Sequence, residues 1–276
     1  MQRKYSCIDL KAILLLVPVK RLFLPAIAIL LLIALIPKFI NISGEQAKPI
    51  EWLKMPGLAV DIDISMDGTA WIAAPDGHVK TWDGRQWQDL GGDAMRIAAG
   101  PGGNSWIISP DNRIFRRADK RWIEMPGRAT DIAVGASGAV WMIGTDRQAG
   151  GFGVFKWGET DWVAEDMAAL RIAVGPKGNP WVVNDQNQIY RLTQMAWKQA
   201  PEAATDIAIA ANGVSWIIGP PGSPDGDGPV SAWGGKGWVR HDGALAGIAT
   251  DARSYPWGVN GRNEIFADSR SAALKR

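Results

Sequence analysis

A chain of 276 residues, 47% hydrophobic and 21% charged, is long enough to bury a core and too apolar for intrinsic disorder. Its net charge of +2 divides unevenly: residues 1–49 carry seven Lys or Arg against two acids, and the remainder 23 against 26, a balance of −3 that argues against nucleic acid as a partner. The single cysteine, Cys7, excludes a disulfide within the chain, so the larger part must hold together by packing.

Residues 1–21 are basic, with Arg3, Lys4, Lys11, Lys20 and Arg21 against Asp9. From Leu22 to Ile36 there is no charge, and the apolar run continues through Pro37, Phe39 and Ile40 around Lys38. A spanning helix needs roughly 17–25 such residues, so 22–40 is expected to be a single transmembrane signal anchor. The basic flank keeps the N-terminus in the cytoplasm and places the C-terminal domain on the periplasmic or extracellular side. A cleaved signal peptide is the alternative, but neither FINISG nor GEQAK offers a clean small-residue cleavage site. Cys7 precedes the apolar run and cannot be a lipoprotein cysteine placed after it. Residues 41–49 form a short polar linker.

From residue 50 the chain repeats itself. RIAAGPGGNSWIIS (96–109) returns as RIAVGPKGNPWVVN (171–184), and the tryptophans extend the rhythm. One series is Trp52, Trp87, Trp122, Trp162, Trp197 and Trp238. A second, nineteen residues later each time, is Trp71, Trp106, Trp141, Trp181, Trp216 and Trp257. The other three, Trp82, Trp157 and Trp233, fall in the odd units, where the even units carry Phe115, Tyr190 and Phe266. Units of this length indicate a solenoid, propeller or array. The runs inside each unit are short, rich in Val, Ile and aromatics and bounded by Gly, Asp, Asn and Pro, which reads as strands. Four strands per unit make a propeller blade, and six units make an all-β, six-bladed β-propeller over 50–268, followed by a tail at 269–276.

In the third unit the strands are expected at Thr130–Gly135, Val140–Gly144, Val154–Trp157 and Asp161–Ala164. The turn between the first two strands needs positive φ, which explains Gly68, Gly103, Gly138, Gly178 and Gly213, with Ser254 the departure. The turn between the second and third is Asp76-Gly77 in unit one and centres on Asn112, Asn187 and Asn263 in the even units. Unit six lacks a final Trp strand, whereas Glu51–Met55 supplies one at the opposite end of the domain. That N-terminal strand is expected to pair with the third strand of unit six and close the ring, leaving no free edge.

Odd and even units differ just before the isoleucine that recurs in every unit. Odd units carry Asp61, Asp131 and Asp206; even units carry Arg96, Arg171 and, breaking the alternation, Gly247. Opposite charges at equivalent places fit either a charged channel mouth that receives a polar ligand or inter-blade Asp–Arg pairing. Two units also carry insertions between their second and third strands, TDRQAGGFG (145–153) and PPGSPDGDGP (220–229), and insertions on one face of a repeat often mark a binding face. Asp225 and Asp227 alternate with glycines, a weak likeness to calcium loops that falls short of the six or more oxygens calcium needs.

Evidence for catalysis is thin. His78 and His241 occupy non-equivalent places with no Cys or His neighbour to share a metal, and no phosphate-binding loop opens a helix. Ser65–Trp71 resembles the Asp-box of sialidase propellers with its glycine one place early. Neither a metal nor an organic cofactor is expected. Twelve of the tryptophans sit at positions present in every unit, as blade-packing residues do. Trp82, Trp157 and Trp233 end the third strand nearer the rim and are the candidate stacking platforms, with Asp76, Asn112, Asn187, Asn263, Asp225 and Asp227 as loop hydrogen-bonding partners.

The unit W-x₄-G-x-A-x-x-I-A-V-G-x-x-G-x-x-W-x-[IV] resembles the tectonin repeat over about residues 50–268; Trp162–Trp181 fits closely apart from a missing Gly after Trp162. The resemblance implies a six-bladed, lectin-like propeller that binds carbohydrate, often methylated sugars or lipopolysaccharide, between blades. The expectation is therefore a membrane-anchored, non-catalytic glycan-binding propeller. The alternative is a protein-interaction scaffold of an envelope complex. A lectin should repeat one polar–aromatic set in several blades, and a scaffold should gather its inserted loops into one patch.

Overall fold

Short runs of β-branched and aromatic residues between tight turns pair here as 24 antiparallel strands in six four-stranded sheets, among the described residues. The computed structural model describes residues 49–194 and 196–275, so the transmembrane segment expected over 22–40 lies outside them. Among the described residues no helix is long and apolar enough to cross a membrane. The innermost strands are Asp61–Ile64, Arg96–Ala98, Asp131–Val134, Arg171–Val174, Asp206–Ile209 and Gly247–Thr250. Each neighbours the next around a central channel and the last neighbours the first, giving a six-bladed β-propeller.

The closing strand is where the sequence places it. Trp52–Leu58 joins the sheet of blade six, with Trp52 opposite Asp268, Leu53 opposite Ala267 and Lys54 opposite Phe266. The last blade is thus built from both ends of the propeller, which leaves no open edge at the join. The core lies between blades: Ile108 and Trp106 of blade two pack with Ile132 and Met142 of blade three in one buried cluster. Period-two alternation explains it, because residues that point away from one sheet meet those of the next.

Turn chemistry follows the repeat. At the turn after the inner strand, Gly68, Gly138, Gly178 and Gly213 hold φ between +82° and +87°, and Ser254 takes the same place at φ +72°. At the turn between second and third strands, Gly77, Asn112, Asn187 and Asn263 all lie at φ between +60° and +84°. Their carbonyls accept the N–H of Ala94, Ala129, Ala204 and Ala59, at 2.8, 3.0, 2.9 and 2.9 Å. Each turn therefore fastens the connector that leads into the next blade.

The insertion at 145–153 is strand rather than loop. The second strand of blade three runs Val140–Gln148 and the third Gly151–Trp157, with Arg147 opposite Phe152 and Gln148 opposite Gly151. Gly150 and Gly151, both at positive φ, allow the tight reversal that lets the extra residues pair. The other insertion stays irregular up to the strand Gly228–Trp233.

Candidate functional site

The turns between second and third strands share a face with the connectors into the inner strands, and the channel opens there. Asp61, Arg96, Asp131, Arg171 and Asp206 each begin an inner strand, so they stand in a ring at that mouth around a cavity of about 100 Å³. The alternation serves pairing and lines the channel together. Arg96 bridges two blades, with Nη1 3.4 Å from Asp61 and Nε 3.9 Å from Asp131. Arg171 Nε stands 3.6 Å from Asp206. The same carboxylates accept backbone N–H groups of the following blade: Ile97 on Asp61 at 2.8 Å, Ile172 on Asp131 at 2.9 Å, Ile248 on Asp206 at 2.8 Å. One layer deeper, Asp63 accepts the N–H groups of Ile64 and Ala99.

Burial dominates the electrostatics of this ring. It raises Asp61 above the ordinary carboxylate value against the pull of Arg96, and pushes Asp63 up to about 7 despite its two backbone hydrogen bonds. It likewise holds Asp206 at about 6, with Arg171 and the Ile248 N–H acting the other way. Burial alone would lower Arg96, but Asp61, Asp131 and Asp206 together raise it, so its charge is secure.

A second concavity, of about 280 Å³, lies on the same face between blades three and four. The paired hairpin of blade three brings Phe152 to it, the connectors bring Thr130 and Thr205, the turn of blade four brings Asn184 and Asn187, and Arg171 lines both this groove and the channel. The two threonine hydroxyls donate to Gly144 and Gly219 carbonyls at 3.2 and 3.3 Å and keep their lone pairs free to accept. Asn184 Oδ1 is engaged by the N–H groups of Gln186 and Gln188.

The residues singled out from the sequence are distributed differently. Trp82, Trp157 and Trp233 end their strands, away from the turns that hold Asp76, Asn112, Asn187 and Asn263, so the aromatic and polar sets are not brought together. Each packs edge-on against the Trp that opens the next strand, at 5.2 Å for Trp82–Trp87, 5.0 Å for Trp157–Trp162 and 5.3 Å for Trp233–Trp238. Trp82 is only 8% exposed, whereas Trp157 and Trp233 keep part of their surface. Asp76 is held by Lys80 and the His78 N–H. Asp225 and Asp227 clasp blade six, through Arg262 at 2.9 Å and the Gly261 N–H at 2.7 Å. In the same way Arg147 reaches Asp185 of blade four at 3.0 Å. The two insertions therefore join different pairs of blades. His78 bonds Asp89, and half-buried His241 lies against Trp216; neither lines the channel or the groove. Among the described residues no group of three or more His, Cys, Asp or Glu could hold a metal ion.

The tectonin domain model matches residues 93–181 and 168–276, more than half of the chain. The chain belongs to the tectonin family. No curated protein matches this tectonin at a significant level. Among solved structures, a gluconolactonase from Xanthomonas campestris matches with TM-score 0.57 and 14% identity, over 79% of this chain and 89% of that one. A streptogramin B lyase matches at 0.56 and 14%, over 81% and 98%, and the WD40 propeller of Doa1 at 0.54 and 10%, over 83% and 98%. At such identities the tectonin shares the propeller fold with them.

The sequence reading missed Phe152, Thr130, Thr205 and Arg171 as neighbours in one groove. A signal was present: the pattern A-T-D-I recurs at 129–132 and 204–207, and Gly150-Gly151 marks the hairpin that carries Phe152.

Proposed function

We propose that this tectonin is a carbohydrate-binding protein without catalytic activity, anchored in a membrane by residues 22–40 with its propeller outside the cytoplasm. Its ligand seat is the groove between blades three and four. The observation that carries the reading is the gathering there of an aromatic ring, Phe152, two threonine hydroxyls, the Asn187 turn and the Arg171 cation in about 280 Å³. A sugar offers an apolar face and a rim of hydroxyls, and a small site with an apolar wall and a few placed polar groups matches that chemistry. The arginine suits an anionic glycan such as the phosphorylated core of a lipopolysaccharide. The test is a glycan and lipopolysaccharide screen of the full chain, repeated with Phe152→Ala and with Trp82→Ala, Trp157→Ala and Trp233→Ala. Binding lost only with Phe152→Ala places the ligand in the groove; loss with the rim tryptophans moves it to the opposite ends of the strands.

A second reading, an interaction scaffold, draws on the outer strands. Leu53, Ile123, Val163 and Val239 each follow the outer Trp of their blade and are all exposed, forming aliphatic positions on four of six blades. A folded chain that binds no glycan in the screen favours this reading.

A further inference from the structure

The ring at the channel mouth has a missing member. Five blades alternate Asp and Arg, and blade six carries Gly247 where the alternation calls for Arg. The neighbours of that place around the ring are Asp206 on blade five and Asp61 on blade one. The layer beneath sharpens the imbalance: the third residue of the inner strand is Ala98, Ala133, Ala173, Ala208 and Ala249 in five blades but Asp63 in blade one. Four carboxylates thus face two guanidinium groups, a deficit of two positive charges when all are ionised. Asp63 stands half-buried in the channel wall and has no ion-pair partner among the described residues. A carboxylate partly withdrawn from water with no countercharge beside it is costly, and a cation that enters the channel relieves the cost.

We propose that the channel mouth is a receptor for a guanidinium group, seated beside Gly247 between Asp206 and Asp61 and above Asp63. The ring supplies the template, since Arg96 already spans Asp61 and Asp131 in the same way two blades along. A planar guanidinium presents five donors and bridges two carboxylates, which a compact ammonium does less well. The acceptors have capacity: each carboxylate offers about four lone-pair sites, and each Asp63 oxygen accepts one bond from a backbone N–H group. Space is available in the cavity that Asp61, Asp63 and Asp206 line. Gly247 itself does not require glycine. Its backbone is not left-handed, and an added Cβ would lie 3.0 Å from Val259 Cγ2 and 3.6 Å from Asp206 Oδ2, so a small shift of one methyl admits a side chain.

The experiment is calorimetric and NMR titration of the full chain with methylguanidinium at pH 8, with methylammonium as comparator. Saturable methylguanidinium binding, tighter than that of methylammonium, is expected. Gly247→Arg should abolish it by supplying the missing group from within, and should raise the thermal midpoint. Asp63→Ala, which gives blade one the alanine of the other five, should weaken binding roughly tenfold or more. No saturation by the wild-type chain, or undiminished binding by both variants, overturns the proposal. If Gly247→Arg does not fold, Asp63→Ala decides alone. A short peptide with a central arginine separates two sources of the same chemistry: tighter binding than methylguanidinium assigns the site to a partner's arginine side chain, equal binding to a free guanidino compound. The outcome is independent of glycan binding, which concerns a different concavity.

Discussion

The Asp206 carboxylate accepts the Ile248 N–H at 2.8 Å, across the boundary between blades five and six. The contact recurs from Asp131 to Ile172 and from Asp61 to Ile97, so each odd blade caps the inner strand of the even blade after it. Removing the acceptor leaves a buried donor without a partner. Asp131, 7% exposed, has the most to lose. Asp131→Ala is expected to cost about 1–3 kcal/mol, read from the urea midpoint at unchanged m-value. A cost within error of zero would show that water replaces the carboxylate.

Acidity in the ring sets a pH dependence of stability. Asp63 is raised by burial from 3.8 to about 7, so between those values the folded chain keeps a proton that the unfolded chain has lost. Its contribution is therefore fully present below about pH 4, declines as pH rises to about 7, and is constant above. Asp206, at about 6, and Asp61 act in the same direction, while Arg96 and Arg171 hold the carboxylates toward ionisation. Asp63→Asn removes one titration and keeps the size of the side chain. The variant should gain on the wild type from pH 4 to pH 7, by at most about 4 kcal/mol. Thermal midpoints at pH 5 and pH 8 measure it, and parallel shifts in the two proteins would refute it.

Much of this architecture is legible in the sequence because a repeat samples the same physics six times. One glycine proves little, but positive φ at Gly68, Gly138, Gly178 and Gly213 was readable from their common distance to a tryptophan. The closing strand was legible because blade six lacked one and the N-terminal end held a spare. What the repeat could not supply is what happens once. The hairpin around Gly150 looks like a loop insertion until its strands are seen to pair, and only then does Phe152 reach the groove. Asp225 and Asp227 likewise looked available, because a sequence does not reveal that Gly261 and Arg262 of the next blade turn toward them.

Two departures from the repeat carry opposite compensation. Five residues after the outer tryptophans of blades six, one, two and five the chain takes positive φ at Gly57, Gly92, Gly127 and Gly243; blade four does so at Glu202, φ +74°. Ser254, φ +72°, replaces glycine in the other series, and its hydroxyl donates to Asn212 Oδ1 at 2.6 Å. A side chain in this region costs on the order of 1 kcal/mol. Glu202→Gly is therefore expected to stabilise the fold by up to about 1 kcal/mol, and Ser254→Gly by less, because it also loses a hydrogen bond. Chemical denaturation of both variants checks the order, and a larger gain from Ser254→Gly contradicts it.

Beside the backbone pairing that closes the ring, one tryptophan of the closing strand is seated against one glycine of blade five. Trp52 Nε1 donates to the Asp242 carbonyl of blade five at 2.8 Å, and its ring covers Gly243, where an added Cβ would stand 2.6 Å from Nε1. Trp87 on Gly57 and Trp162 on Gly127 repeat the contact within the ring. At Gly243 it fixes the N-terminal closing strand against the outer strand of blade five. Gly243→Ala combines the collision with an unfavourable φ of +111° and is expected to cost about 1–3 kcal/mol. Its particular consequence is release of the strand Trp52–Leu58 from Glu264–Asp268. That strand edge would then seek a partner in another chain. Loss of stability together with concentration-dependent association in size-exclusion chromatography is the expected result. Gly222→Ala, with no atom within 4 Å of the added carbon, should show neither. Destabilisation of Gly243→Ala without association would mean that the closing strand stays paired when its tryptophan is displaced, and that backbone pairing alone holds the ring shut.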